Sequence, residues 1–272
     1  MIIRRLETFE EYLACEQLVQ DAWGSGPEDA VPTHLQITIQ GEAGLVLGAF
    51  TDQGRLVGFV LGFLSREGTR LKHHSHMAGV HPDFRDQNIA YRLKLAQRAW
   101  CIEQGLELMT WTYDPLEARN AALNIAKLGA TTRTYKRNIY GQGLGPLNAL
   151  LPTDRFQVGW ELVSPQVIVA TKTGRRVEAP IAKTLISQVD LHDGLPILCG
   201  SANLPTAIQP IGFQIPARMQ ALKREAPAEA LAWRMGTRAF FEAAFAVGYQ
   251  VVNLTADREL PELLALYTLV QN

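Results

Sequence analysis

The sequence has little cysteine and no surplus of charge of either sign, and each shortage excludes a class of protein. Its three cysteines, Cys15, Cys101 and Cys199, lie far apart and form no CxxC pair. Neither a disulfide framework nor a cysteine zinc site is therefore predicted, and a reducing cytoplasm is the expected location. The 26 Lys plus Arg and 27 Asp plus Glu residues give a net charge of -1. Such a balance supplies no overall field for a polyanion, so nucleic acid is not an expected partner.

Long hydrophobic runs are also missing. The longest, residues 56–64, contains two glycines and is far shorter than the ~20 residues of a membrane-spanning helix. The first seven residues carry charge without the apolar stretch of a signal peptide, so a membrane is not an expected partner. Hydrophobic residues nevertheless make up 47% of the 272 positions, which is enough to bury a sizeable core.

Strand and helix signals alternate in the first 163 residues. Ile2 and Ile3 predict a strand, the Thr8 and Glu11 spacing is typical of a capping box, and residues 45–50 and 56–64 predict a hairpin. Further strands are predicted at 74–80, 106–113 and 156–163. The helix between the first two has an apolar stripe at Ile89, Leu93, Ala96 and Trp100 and a polar opposite face, and another helix ends at Gly129. This order predicts an α/β (α+β) fold with at least one parallel strand pair.

The remainder of the chain gives weaker signals. Residues 141–152 are interpreted as a connection, and strands are expected at 167–171, 176–179 and 195–199. A helix from Pro227 to Gly248 and a strand at 249–255 complete the pattern. We therefore divide the chain into a first domain at 1–163 and a C-terminal α/β extension at 164–272.

The most informative segment is residues 80–90, Val-His-Pro-Asp-Phe-Arg-Asp-Gln-Asn-Ile-Ala, a turn between a strand and the start of an amphipathic helix. The first amides of a helix have no acceptors within it and lie at the positive end of its dipole, so such a turn can hold a pyrophosphate. The spacing from Arg85 to Ala90 resembles the coenzyme A loop of the GNAT acyltransferase superfamily. Asn88 stands where that pattern usually has its first glycine.

The resemblance extends to the Asn-containing segment 120–129 and covers roughly residues 1–163. It implies a mixed, splayed β-sheet flanked by helices, with the acyl thioester between two diverging strands, here 74–80 and 106–113. The residues that it implicates in coenzyme binding are Ala78, Val80, Arg85, Gln87, Asn88, Ile89, Ala90 and Asn124.

Acyl transfer to an amine requires a neutral amine, a stabilised oxyanion and a proton for the leaving thiolate. An amine with a pKa of about 10 is protonated at pH 7, at a cost of ~4 kcal/mol, so a base is expected. His76 and Asp114 are the nearest candidates, although Asp114 is equally well explained as the end of a strand. The family's usual tyrosine is Ile125 here, which leaves Tyr135 or Tyr140 as the acid, with Tyr140 chosen, or no acid at all. Backbone amide near Ala78 is expected to stabilise the oxyanion.

Other residues have plain explanations beside functional ones. His73, His74 and His76 lack a third ligand at useful spacing, so no metal is expected. Trp111 is interpreted as core or as a wall of the substrate pocket. Arg155 could orient a carboxylate-bearing substrate or form a structural ion pair.

These observations predict an N-acyltransferase that moves an acetyl or succinyl group from acetyl-CoA or succinyl-CoA to a small-molecule amine. Amino acids are among the acceptors that the resemblance suggests. The extension either shapes the acceptor pocket or mediates a homodimer. The alternative is a non-catalytic acyl-CoA-binding module, which Asn88 and Ile125 would favour.

Overall fold

A computed structural model describes residues 1–24, 26–141, 151–174, 180–255 and 263–271. These residues form two compact units. The first comprises Met1–Trp111 and Glu161–Val163, and the second contains the other described residues from 112 onwards. No helix in the described ranges has the length and apolarity needed to cross a membrane.

The first unit is a sheet with helices on both faces. Its elements are β1 (Ile2–Arg5), α1 (Phe9–Trp23), α2 (Thr33–Gly41), β2 (Gly44–Phe50), β3 (Leu56–Glu67), β4 (Arg70–Val80), α3 (Ile89–Glu103) and β5 (Leu108–Tyr113), whose last two residues belong to the second unit. The strands lie in the order β1-β2-β3-β4-β5. The pairs β1–β2, β2–β3 and β3–β4 are antiparallel, and β4–β5 is parallel, which confirms the predicted parallel pair.

Strand β2 is buried along its whole length because both faces of the sheet are covered. Val46 and Phe50 pack into a cluster with α1, whereas Leu45 and Leu47 pack with Ile89 and other residues at the start of α3. Successive side chains of a strand point to opposite faces, so a continuous apolar run fills two cores at once. Thr8 caps α1 by accepting a hydrogen bond from the backbone N–H of Glu11, as predicted.

The second unit combines a sheet with helices. Its elements are α4 (Ala118–Ala121) continued by a π-helical segment (Ala122–Lys127), β6 (Thr131–Lys136), β7 (Arg155–Glu161), α5 (Pro165–Thr173), β8 (Thr184–Leu185), β9 (Ser187–His192), β10 (Leu195–Ser201), β11 (Ile211–Pro216), α6 (Met219–Glu225), α7 (Pro227–Ala246), β12 (Tyr249–Thr255) and β13 (Leu264–Gln271). Strand order is β7-β6-β12-β13-β11-β8, with β9 and β10 forming a separate hairpin.

Aromatic rings fill the core of the second unit. Phe156 of β7 packs edge-on against Phe241 of α7 at 4.7 Å between ring centroids, and Phe213 of β11 stacks on Phe240 at 4.1 Å. Trp160 is fully buried and donates from its indole N–H to the carbonyl of Leu128. The predicted mixed sheet flanked by helices is confirmed in both units.

The prediction of a strand at 167–171 is wrong, because this segment is the helix α5. Ser164 caps it by accepting from the N–H of Val167, and Pro165 occupies its first turn, where proline needs no donor. The capping signal therefore outweighs the apolar run that suggested a strand. The strand predicted at 176–179, and most of the connection at 141–152, lie outside the described residues.

The polar residues of α3 are not all exposed to solvent. Besides Ile89 and Leu93, its buried residues include Lys94, Gln97 and Cys101, while Ala96 and Trp100 are only partly buried. The predicted boundary at residue 163 stays a prediction. The compact units divide the chain within β5, after Trp111, and Glu161–Val163 also belongs to the first unit.

Candidate active site

The loop after β4 has the backbone conformation that an anion-binding turn requires. A single 3₁₀ turn, Pro82–Phe84, leads to Asp86 and Asn88, which both have positive φ, at 65° and 56°. Asn88 is the residue before α3 and lies in the left-handed region. Because asparagine adopts this region more readily than most residues, it reproduces the backbone turn that a glycine would make.

The exposed loop residues lie beside the first turn of α3. Arg85, Gln87 and Asn88 are exposed, whereas Ile89 is buried and fixes the helix to the sheet. The first amides of α3 and the helix dipole favour a negatively charged group here. The guanidinium of Arg85 donates to the carbonyl of Ala22 in α1 at 2.7 Å, so it ties the loop to that helix.

Strands β4 and β5 diverge beside this loop. Within the described chain their ladder consists of His73 paired with Met109 and His74 paired with Thr110, and β4 continues beyond it to Val80. We call this divergence the fork. Backbone groups of β4 beyond the ladder, at Ala78 and Val80, lie on the part of the strand where an extended chain could be inserted.

His76 occupies a β-bulge in β4. Ser75 pairs with Gly62 of β3 and Met77 pairs with Leu61, so His76 is the extra residue. A bulge turns a side chain away from the regular alternation. The His76 side chain is accessible to solvent and its ring lies 5.9 Å from the ring of Phe63. Desolvation by the neighbouring protein atoms lowers the pKa of the imidazole below the ordinary value of 6.5. At neutral pH this imidazole is therefore mainly unprotonated and able to accept a proton.

A buried polar network lies on the α3 face of the fork. The ammonium of Lys94 donates to the hydroxyl of Ser75 at 2.7 Å and lies 3.9 Å from the centre of the Trp111 ring. Gln97 contacts both Lys94, at 3.3 Å, and the ring of His73, at 3.0 Å. A Cβ at Gly62 would collide with that ring, so the glycine opposite the bulge also makes room for His73.

A second cluster lies in the second unit, where Asp114 follows β5. Arg234 of α7 donates to the Asp114 carboxylate, and Arg155 lies 3.7 Å from the same oxygen. Burial alone would raise the pKa of Asp114, but Arg234, and to a lesser extent Arg155, hold it below its usual value. Two buried guanidinium groups thus share one carboxylate. Among the described residues, the buried Nε and Nη1 atoms of Arg234 have no hydrogen-bond partner.

Tyr140 and Tyr135 lie in different surroundings. The exposed Tyr140 hydroxyl lies 3.2 Å from the Thr112 hydroxyl, and its ring lies 5.4 Å from the guanidinium of Arg155. The Tyr135 hydroxyl donates to Asp154 at 2.8 Å, and burial raises its pKa. Tyr140 is thus the more accessible of the two proposed acids. Its N–H donates to Thr153 at 3.0 Å, which holds the residue beside Arg155.

Asn124 is buried within the π-helical segment that continues α4. Single π-helical turns within α-helices often occur at functional sites. Gly129, with a φ of 73°, lies just beyond this segment. The sequence predicted that the helix ends at this glycine. Among the described residues, no three His, Cys, Asp or Glu side chains form a group that could hold a metal ion.

Lys94 and Arg234 were not predicted as site residues. Lys94, Gln97 and Cys101 recur at helical spacing, which could have indicated a buried polar stripe on α3. Arg234 lies between Trp233 and Thr237 of the predicted apolar stripe, and a charged residue so close to such a stripe could have indicated a buried charge. Neither pattern identifies the partner of the charged group.

Residues 6–130 match the family model described as the acetyltransferase (GNAT) family. No curated protein matches the chain in sequence. Among solved structures, the ribosomal-protein-S18-alanine N-acetyltransferase from Escherichia coli is 18% identical, with 60% of this chain and 94% of that chain covered and a TM-score of 0.48. Aminoglycoside 6'-acetyltransferase type Ii is 17% identical over 60% and 99%, with a TM-score of 0.48. The ribosomal-protein-alanine N-acetyltransferase from Brucella melitensis is 18% identical over 58% and 98%, with a TM-score of 0.47.

Proposed function

We propose that this chain is an acyl-CoA-dependent N-acyltransferase of the GNAT superfamily that acts on a small-molecule amine, because residues 6–130 match the GNAT acetyltransferase family model. The acyl group is acetyl or succinyl, and amino acids are the leading class of acceptor. The observation that carries this proposal is the left-handed turn at Asn88, which joins the fork directly to the first turn of α3.

The donor is proposed to lie along β4 and the loop that follows it. Backbone amides from Arg85 to Ala90 hold the diphosphate, and the extended pantetheine pairs with β4 at Ala78 and Val80. The proposed donors are main-chain N–H groups, so the side chains of Gln87 and Asn88 need only leave those groups accessible to the diphosphate. The contact to the donor that the sequence predicts for Asn124 stays a prediction.

The thioester supplies an activated acyl group, and the chain must supply proton transfer and positioning. His76 is proposed as the base because it is exposed at the bulge and its pKa is lowered. Asp114 was the other candidate for the base, but its carboxylate is buried and already forms an ion pair with Arg234. Its proposed role is therefore to hold Arg155 in place, and backbone amide near Ala78 is proposed to stabilise the oxyanion.

The acceptor is proposed to carry a carboxylate. Arg155 and Arg234 together bring two positive charges to the single carboxylate of Asp114, and a guanidinium pairs well with a carboxylate of the substrate. The role of Trp111 as a wall of the substrate pocket stays a prediction. Since Arg234 belongs to the proposed extension at 164–272, that extension contributes to acceptor recognition.

A thiol-release assay tests this function. The protein is incubated with acetyl-CoA or succinyl-CoA and with pooled amino acids, their amides and polyamines. Amine-dependent thiol release supports the enzyme, and a preference for amino acids over their amides supports the carboxylate site. Binding of acyl-CoA without release would instead support the non-catalytic module, and absence of binding would remove both.

Asn88→Gly is expected to fold and to keep or improve coenzyme A affinity. Glycine adopts the observed φ of 56° without cost and removes a side chain next to the proposed phosphate site. Calorimetry with coenzyme A measures the effect, with Asn138→Gly as a control, since Asn138 also has positive φ but lies outside the loop. A large loss of affinity in the Asn88 variant alone would show that the loop is wrongly assigned.

Tyr140→Phe is expected to lower turnover by ~10²-fold or more if Tyr140 donates the proton to the leaving thiolate. The phenylalanine keeps the ring against Arg155 and removes only the hydroxyl near Thr112. Steady-state kinetics with saturating donor measure the effect, and Thr112→Val controls for loss of that hydroxyl contact. An unchanged rate would exclude Tyr140 as the acid.

A further inference from the structure

Lys94 is a buried cation whose contacts are neutral. Its side chain donates to the Ser75 hydroxyl and the Gln97 amide oxygen, and its ammonium lies over the Trp111 ring. The residue is 4% exposed. A buried ammonium is ordinarily stabilised by a nearby carboxylate, but the described contacts of Lys94 include none.

The titratable groups that face Lys94 do not supply the missing charge. His73 on β4 is uncharged near neutral pH because burial, with a further contribution from Lys94, lowers its pKa to about 3. Cys101, on the same helix, remains a thiol because burial raises its pKa to about 12. Burial also lowers the pKa of Lys94 to about 7, so a modest stabilisation by an anion would keep it charged.

Lys94 lies at the closed end of the fork. The last ladder pair is His74 with Thr110, and the next residue on each strand, Ser75 and Trp111, contacts the Lys94 ammonium. A chain inserted between the strands from their open end would therefore reach this ammonium at its tip. An acetyl group ends in an uncharged methyl, whereas a four-carbon dicarboxylic acyl group ends in a carboxylate.

We propose that Lys94 is a specificity-determining residue that binds the terminal carboxylate of the acyl group, so that the donor is a CoA thioester of a dicarboxylic acid. This inference rests on the proposed function, because it requires the acyl chain to enter the fork. Lys94 forms an ionic contact with the acyl tail, and Ser75 and Gln97 hold its amine in place.

Binding of two unreactive thioethers tests the proposal without turnover. S-(3-carboxypropyl)-CoA ends in a carboxylate, and S-butyl-CoA has the same number of chain carbons and no charge. We expect calorimetry at pH 6.5 to give at least about tenfold tighter binding of the carboxylated compound. Lys94→Met should remove this preference, while Lys72→Met, which changes a lysine of β4 paired with Glu67, should retain it.

The pH dependence of the wild-type protein provides a second measurement that does not require the variant to fold. The ratio of the two affinities should fall as the pH rises from 6 to 8.5, because free Lys94 loses its proton over this range. Titration of the phosphates common to both compounds cancels in the ratio. Equal affinities at pH 6.5 would overturn the role of Lys94 and leave the proposed donor site intact. Failure of both thioethers and of coenzyme A to bind would overturn the proposed function as well.

Discussion

Replacing Arg234 with methionine is expected to lower the free energy of unfolding by about 3–5 kcal/mol at pH 7. Arg234 is 1% exposed and donates to Asp114, which is itself buried. The variant leaves that carboxylate buried with only the more distant Arg155, at 3.7 Å. Denaturant unfolding measures the loss, and a decrease below about 1 kcal/mol would contradict the structural role of this ion pair.

The pH dependence of this loss has a defined sign. In the wild-type protein the pKa of Asp114 is lowered, so its stabilising contribution is present above the unfolded pKa of about 3.9 and is lost as the pH falls through the lower folded value. Without Arg234, burial raises the folded pKa of Asp114. The difference in unfolding free energy between the wild-type protein and the Arg234→Met variant should therefore become smaller as the pH falls from 7 towards 4.

Two further variants separate the ion pair from simple loss of packing. Asp114→Asn combined with Arg234→Met removes both charges and should recover part of the stability lost by Arg234→Met alone. Arg137→Met changes an arginine whose ion pair with Glu242 is solvent-exposed on the Arg137 side, and it should have a much smaller effect. A double variant no more stable than Arg234→Met would show that packing, not charge, accounts for the loss.

Replacing His76 with glutamine is expected to lower kcat by about 10²- to 10⁴-fold, the usual contribution of a general base. The substitution keeps a polar side chain at the bulge, so donor binding should be little changed. Because the pKa of His76 is lowered from 6.5, the wild-type rate should fall with acidification only below that pH. This acid limb should be absent from the residual activity of the variant.

His74→Gln is the matched control for this prediction. His74 lies on the same strand, with its ring 6.4 Å from that of His76, and its Nδ1 lies 3.3 Å from the Thr110 hydroxyl. Its replacement should preserve the acid limb of the rate profile. If the His74 variant lost the acid limb of the rate profile and the His76 variant kept it, His74 and not His76 would be the base.

The first unit could be predicted largely from local signals. The Thr8 cap, the hairpin of residues 45–50 and 56–64, and the strand–turn–helix around Asn88 depend on neighbours in the sequence, and the structure contains each of them. The exact ladder of the fork could not be predicted, because the length of a parallel pairing depends on packing between strands that are distant in the chain.

Most of the strands and contacts that could not be predicted from the sequence are either polar segments or contacts between residues that are distant in the chain. Strand β6, Thr-Thr-Arg-Thr-Tyr-Lys, has no apolar alternation to indicate a strand. The ion pair of Asp114 and Arg234 joins residues 120 positions apart, and no local pattern links them. Lys94 was missed for a different reason, since a lysine on a helix is expected at the surface unless its surroundings are known.

The long separations within the second unit also affect how a nascent chain completes it. Tyr113 and Tyr267, whose hydroxyls lie 3.1 Å apart, are 154 positions apart in sequence. The end of β5 therefore leaves the ribosome long before the residues that cover and neutralise it. Until almost the whole chain has been synthesised, Asp114 lacks its arginine and Phe156 lacks Phe241. Closing such distant contacts is slow, so this interval is when the polypeptide is most exposed to proteases and most dependent on chaperones.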